Sequence, residues 1–167
     1  KTHDEVGALA LSSVPGAHGL TLLPYFEGER TPNRPNATGV FSGMNIANSN
    51  PADIARAMIE GMLSGLADAV AALEDLGVDI KRVLIIGGAA KNPAVGQIAS
   101  ALFGRPVLIP PAGEYVADGA AKQAAWAVLG GATPPVWDLG KAMHIEAAAT
   151  PAVLEKYRTL RDATVNW

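Results

Sequence analysis

Cysteine is absent from the 167 residues, which excludes a disulfide or a thiolate metal site and suits a reducing compartment such as the cytoplasm. Clustered positive charge is absent too. Thirteen Lys and Arg against 16 Asp and Glu give a net charge of -3, with no basic run to neutralise a line of phosphates, so a nucleic-acid surface is not expected. No apolar run approaches the roughly 20 residues that span a bilayer, and Lys1-Thr2-His3-Asp4-Glu5 lacks the apolar stretch of a signal peptide. Two familiar phosphate-binding turns are also missing, the Gly-Lys-Ser/Thr P-loop and the Gly-x-Gly-x-x-Gly dinucleotide turn. No serine sits in a nucleophile elbow. His3, His18 and His144 are too far apart in sequence to suggest a metal site, and solvated or locally hydrogen-bonded histidines are the expectation.

What remains is a composition that is 49% apolar, with 18 glycines and 12 prolines, as in an ordinary globular protein with room for one sizeable core. The chain does not begin with Met, and a piece of something longer is expected.

The stretch Val83-Leu84-Ile85-Ile86-Gly87-Gly88-Ala89-Ala90-Lys91-Asn92-Pro93 organises the rest. Four consecutive apolar residues leave no polar face and predict a strand covered on both sides. Two glycines then let the backbone turn, Asn92 is placed to cap the next helix, and Pro93 suits its first position. A buried strand, a glycine turn and a helix start can hold a ligand against bare backbone. Gly87 and Gly88 alone could equally make a structural turn. With Asn92 and Gln97 following, the amides and the helix N-terminus converge, and a flat ring such as adenine could stack there.

Around this stretch the chain reads as alternating strands and helices. Leu20–Phe26 has strand composition, with Pro24 at an edge or an end, and Thr38–Met44 alternates small and apolar residues. Residues 1–19 give no clear element beyond a turn at Ser12–Gly16. Asn50-Pro51 predicts a helix to Leu76, with Ile54, Met58, Met62, Leu66, Val70 and Leu73 as its apolar stripe and Asp53, Arg56, Glu60, Ser64 and Asp68 towards the other side. Gly61 and Gly65 within it suggest another backbone close by, and Gly77 ends it. A helix over Pro93–Phe103 and a strand over Pro106–Ile109 complete a parallel crossover. Ala117–Leu129 reads as a helix whose alanines would let it lie tight against a neighbour. A last helix from Thr150-Pro151 should bury Val153, Leu154, Tyr157 and Leu160.

Between the first two strands, residues 27–36 are dense in charge, proline and glycine and read as a surface loop. Glu27 and Glu29 would share a side in extended chain, as paired catalytic carboxylates can. The plainer expectation is that Arg30 and Arg34 pair with them.

These motifs together resemble one family. Gly39-x-Phe41-x-Gly43-Met44 followed by Asp53-Ile54-x-x-Ala57-Met58-Ile59-Glu60 is similar to the C-terminal-domain signature of the FGGY carbohydrate kinases. Leu23-Pro24-Tyr25-Phe26-Glu27-Gly28-Glu29-Arg30-Thr31-Pro32 is most like the xylulokinase branch. Gly87-Gly88-Ala89-Ala90-Lys91-Asn92-Pro93 with Gln97 resembles the family's adenosine motif, and Glu114 with Gly119-Ala120-Ala121 its next helix start.

The resemblance implies an α/β fold: a ribonuclease-H-like domain of the actin and sugar-kinase type, a mixed sheet with helices on both faces, here lacking its first strands. It implies a core over 1–131 that binds ATP, with 132–167 a linker and terminal helix of the same domain. By the same likeness Gly87, Gly88, Ala89 and Asn92 line the adenine and ribose end of the ATP site, with Gln97 a neighbour. The catalytic aspartate, most sugar contacts and the phosphate loops belong upstream, so no catalytic or metal-ligating residue is assigned in this chain. The implied reaction moves the γ-phosphoryl group of magnesium ATP to a ketopentose, D-xylulose foremost, between this domain and a missing N-terminal one, and the chain alone is expected to be inactive. Alternatives are a kinase for glycerol, gluconate or ribulose, and a non-catalytic nucleotide-binding or assembly module. Neither nucleic acid nor membrane is an expected partner. A half enzyme would leave a sheet edge and a hinge surface uncovered, which invites self-association.

Overall fold

The computed structural model describes residues 2–138 and 140–165. Its elements are α1 (His3–Ser12), β1 (Thr21–Leu23), β2 (Val40–Ser42), α2 (Pro51–Asp75), β3 (Val83–Leu84), α3 (Pro93–Phe103), β4 (Val107–Ile109), α4 (Tyr115–Leu129), β5 (Met143–Ile145) and α5 (Pro151–Ala163). The first helix, which the sequence left unassigned, starts on a capping box in which Thr2 and Glu5 satisfy each other's backbone N–H. β1 and β2 form an antiparallel pair, while β3, β4 and β5 form a mixed sheet with β4 in the middle. The β3–β4 pair is parallel, as the α3 crossover requires, and β4–β5 is antiparallel.

Helix boundaries follow their caps. Asn50 accepts from the N–H groups of Ala52 and Asp53, Asn92 from that of Ala94, and each is followed by Pro in the first turn. Gly77 (φ 83°) donates to Glu74 after the end of α2 and Gly104 (φ 61°) closes α3, both in the left-handed region that glycine occupies freely.

The main core joins Ala10 of α1, Ala55, Ile59 and Leu63 of α2, Val95, Ile98 and Leu102 of α3, and Val107 of β4. Here α2 departs from expectation. Its buried face carries Asp53, Arg56, Glu60 and Ser64 beside Ala55, Ile59, Leu63 and Ala67, whereas Met58, Met62, Leu66 and Leu73 are 46%, 40%, 52% and 47% exposed. The inversion has a cause in size and hydrogen bonding. Small residues let α2 approach its neighbours, and a Cβ on Gly61 would stand 2.4 Å from the Leu22 carbonyl oxygen, so β1 lies directly on the helix. Gly65 has more room, with the Tyr157 hydroxyl 3.5 Å from such a Cβ.

The turn after α1 engages the two buried carboxylates, Asp53 and Glu60, whereas the buried Ser64 hydroxyl has no hydrogen-bond partner among the described residues. Asp53 accepts from Ser13, from Asn50 (2.7 Å) and meets His18 Nδ1 at 2.9 Å. The Ser13 hydroxyl, with His18 and Asn50, holds the Asp53 carboxyl below the usual carboxylate range against the opposing effect of burial. One turn on, Arg56 Nε donates to Glu60 Oε1 at 2.6 Å, and Glu60 also accepts from the Gly16 N–H at 3.0 Å.

Three further expectations are corrected. The run 83–86 is not covered on both sides: β3 is an edge strand paired with β4 alone, Val83 and Ile85 pack on the core, and the alternate residues Leu84 and Ile86 are 46% and 48% exposed. Among the described residues helix α4 buries no side chain; its six alanines support it by intrinsic helix propensity. In the loop after β1, Glu29 accepts from the backbone N–H groups of Arg30 and Thr31, and Arg34 donates to the Arg161 carbonyl, so no ion pair joins Glu27 or Glu29 to Arg30 or Arg34 among the described residues. The loop is held by main chain instead, with Glu29 and Arg34 exchanging both backbone bonds.

Helix α5 returns over β1. Tyr157 is fully buried beside Leu23 and Tyr25, while Val153, Leu154 and Leu160 are only half-buried. Asp68 of α2 takes Arg158 (2.6 Å) and Arg161 together. No helix among the described residues is long and apolar enough to cross a membrane.

Candidate functional site

The organising stretch leaves β3 through Ile85, whose N–H donates to the Leu108 carbonyl at 2.9 Å, and then bends. Gly87 has φ 97°, which a side chain would strain, and Gly88–Lys91 form one 3-10 turn leading into α3. A Cβ built on either Gly87 or Gly88 meets nothing within 4 Å. The bend is therefore open, not plugged by neighbours.

It faces a cleft of about 560 Å³. One wall is Ile86, Gly87, Gly88 and Lys91; the other is the exit of β4 from Ile109 through Pro110 and Pro111 to Glu114 and Tyr115; Lys141 and Met143 close the side. The cleft thus lies outside the carboxyl ends of two parallel strands, where open α/β sheets bind ligands. The Tyr115 hydroxyl donates to the Pro111 carbonyl and fixes the second wall. Apolar surface from Ile86, Pro111 and Met143 suits a flat ring, and two ammonium groups with one carboxylate supply polar ends.

The five residues singled out in sequence fall in different places. Gly87 and Gly88 line the cleft. Ala89 is exposed in the adjoining 3-10 turn. The Asn92 side chain is committed elsewhere, accepting from Ala94 N–H at 3.0 Å and donating to the His3 carbonyl at 2.7 Å. Gln97 is exposed on α3 and is not among the lining residues. Sequence reasoning missed Tyr115, Lys141 and Met143. The break Pro110-Pro111 after a parallel strand could have pointed to the second wall. Nothing local marks 141 or 143, which arrive by long-range pairing of β5.

Ser13, His18 and Asp53 are residue types of a hydrolytic triad, yet Ser13 and His18 each bond to Asp53 and not to one another, so a nucleophile–base contact is missing and the cluster ties the turn to α2. Among the described residues no group of three or more His, Cys, Asp or Glu could hold a metal.

A mixed sheet, a parallel crossover and an open glycine bend at the strand ends define an α/β domain with a cleft where sheets of this kind take ligands. The model for the C-terminal domain of the FGGY family of carbohydrate kinases matches residues 2–128, and the chain belongs to that family. It is 37% identical over 131 residues to a xylulose kinase of Streptomyces rubiginosus, covering 76% of this chain and 27% of that protein. It is 39% identical over 137 residues to a glycerol kinase of Alkalilimnicola ehrlichii, covering 80% and 27%. The crystal structure of xylulose kinase from Bifidobacterium adolescentis superposes with a TM-score of 0.82 at 47% identity, over 96% of this chain and 32% of that one. The fold is accordingly that of sugar-kinase C-terminal domains, the actin and ribonuclease-H-like type. The chain spans about a quarter of the length of the curated relatives it matches.

Proposed function

We propose that this chain is the nucleotide-binding half of an ATP-dependent sugar kinase whose acceptor is a ketopentose hydroxyl, D-xylulose foremost. The observation that carries the reading is the unobstructed bend at Gly87 and Gly88 beside a cleft at the strand ends. Adenine would lie on that bend, with Ala89, Asn92 and Gln97 included on the strength of the family likeness. Asn92 would reach a ligand only by giving up its bond to His3. Transfer of a γ-phosphoryl group rests on positioning and charge stabilisation, and closure of two domains over the substrates would keep water out. Magnesium would accompany the triphosphate, as the family likeness implies.

Xylulose is favoured because a curated relative and a close structural neighbour both carry that name. A polyol acceptor is the second reading, supported by the glycerol kinase relative at comparable identity. Calorimetric titration of the chain with ATP should give saturable binding at one site, and no binding would sink the nucleotide assignment. The same chain given ATP, magnesium and D-xylulose should form no product. Turnover at a normal enzymatic rate would defeat the half-enzyme reading.

A further inference from the structure

We propose that Lys141 is a nucleotide-binding residue, drawing the polyphosphate into the cleft from the segment that leads into β5. The inference rests on the nucleotide reading above and adds a residue outside the matched span 2–128.

Pairing of β5 with β4 sets Met143 opposite Ile109, and the segment before it continues along the same wall. A Cβ on Gly140 would stand 3.0 Å from Pro111 Cγ, so residues 140–143 follow the exit of β4. Lys141 and Met143 thereby become lining of the cleft that Gly87 and Gly88 open into. Pro110 and Pro111 on that wall have no N–H to offer an anion. Positive charge there has to come from side chains. Lys141 supplies it from one side and Lys91 from the other, against the single lining carboxylate of Glu114. Neither lysine forms an ion pair among the described residues, unlike Lys81, which pairs with Asp79. A flexible ammonium with no fixed partner can follow a phosphate group that moves.

The test compares ATP with adenosine on the full chain at low and high salt. Lys141→Gln should weaken ATP binding by about fivefold at low salt, with the difference shrinking at high salt and adenosine affinity unchanged. Lys141→Arg should restore ATP affinity. Lys81→Gln removes the same unit charge before β3, at the opposite end of the strand from the cleft, and should leave both ligands unaffected. Wild-type ATP affinity in Lys141→Gln would overturn the proposal while leaving the nucleotide reading intact. Equal weakening of adenosine, or of Lys81→Gln, would also overturn it, by showing a change of cleft shape or a net-charge effect. Absence of any nucleotide binding by the wild-type chain would remove both readings.

Discussion

Arg56 and Glu60 form an ion pair sealed inside the protein, Nε to Oε1 at 2.6 Å, with side chains 7% and 5% exposed. Burial pushes the Glu60 carboxyl above its ordinary value, opposed by the Gly16 N–H and by Arg56. Arg56→Met would leave that carboxylate without its cation, at a cost of about 3–5 kcal/mol near neutral pH. A carboxyl whose folded pKa is raised stabilises the fold below its unfolded value and loses that contribution as pH rises through the folded one. The variant should therefore recover stability on acidification, and Arg56→Met with Glu60→Gln should recover it at neutral pH. Urea unfolding across pH checks both.

The two faces of α2 can be told apart by neighbouring residues. Leu63 is 1% exposed and Met62 is 40% exposed. Leu63→Ala should cost about 2–5 kcal/mol, while Met62→Lys should cost less than about 1 kcal/mol. The reverse order in thermal or urea unfolding would restore the apolar-stripe orientation that periodicity alone suggests.

Gly61 and Gly65 should respond with opposite sign. Alanine improves a helix interior by about 1 kcal/mol over glycine, and at Gly65 the nearest atom is at 3.5 Å, so Gly65→Ala should stabilise. At Gly61 the Leu22 carbonyl lies 2.4 Å from the new Cβ, and Gly61→Ala should lose about 1–3 kcal/mol as α2 and β1 separate. Differential scanning calorimetry of the pair decides it.

Gly88→Val should leave the fold intact, because no atom lies within 4 Å of the added Cβ and the backbone there is not left-handed. ATP affinity should fall by about tenfold or more, as when a side chain fills ligand space. Unaltered ATP affinity in calorimetry would count against an adenine on this bend.

What could be read in the sequence was what is decided locally. Asn50-Pro51, Asn92-Pro93, Gly77 and Gly104 set helix ends through bonds within a few residues, and all four stand where expected. The orientation of α2 was not legible, because burial there follows how closely small residues let the helix pack, and because Asp53 and Glu60 find partners 35 to 44 positions away. For the same reason Gly87 and Gly88 could be named from the turn they make, whereas Lys141 and Met143 could not, being brought to the cleft by a three-residue strand that pairs across the chain. The alanines of α4 looked like a packing surface because alanine both packs closely and favours a free helix.

The clasp of Arg158 and Arg161 on Asp68, with Tyr157 seated beneath, makes α5 the lid of the compartment that holds Leu23 and Tyr25. The family match stops at residue 128, so a gene trimmed to that border would encode a polypeptide with those two side chains laid bare and an aspartate robbed of both its cations. Whoever expresses this domain for ligand studies should carry the last helix along.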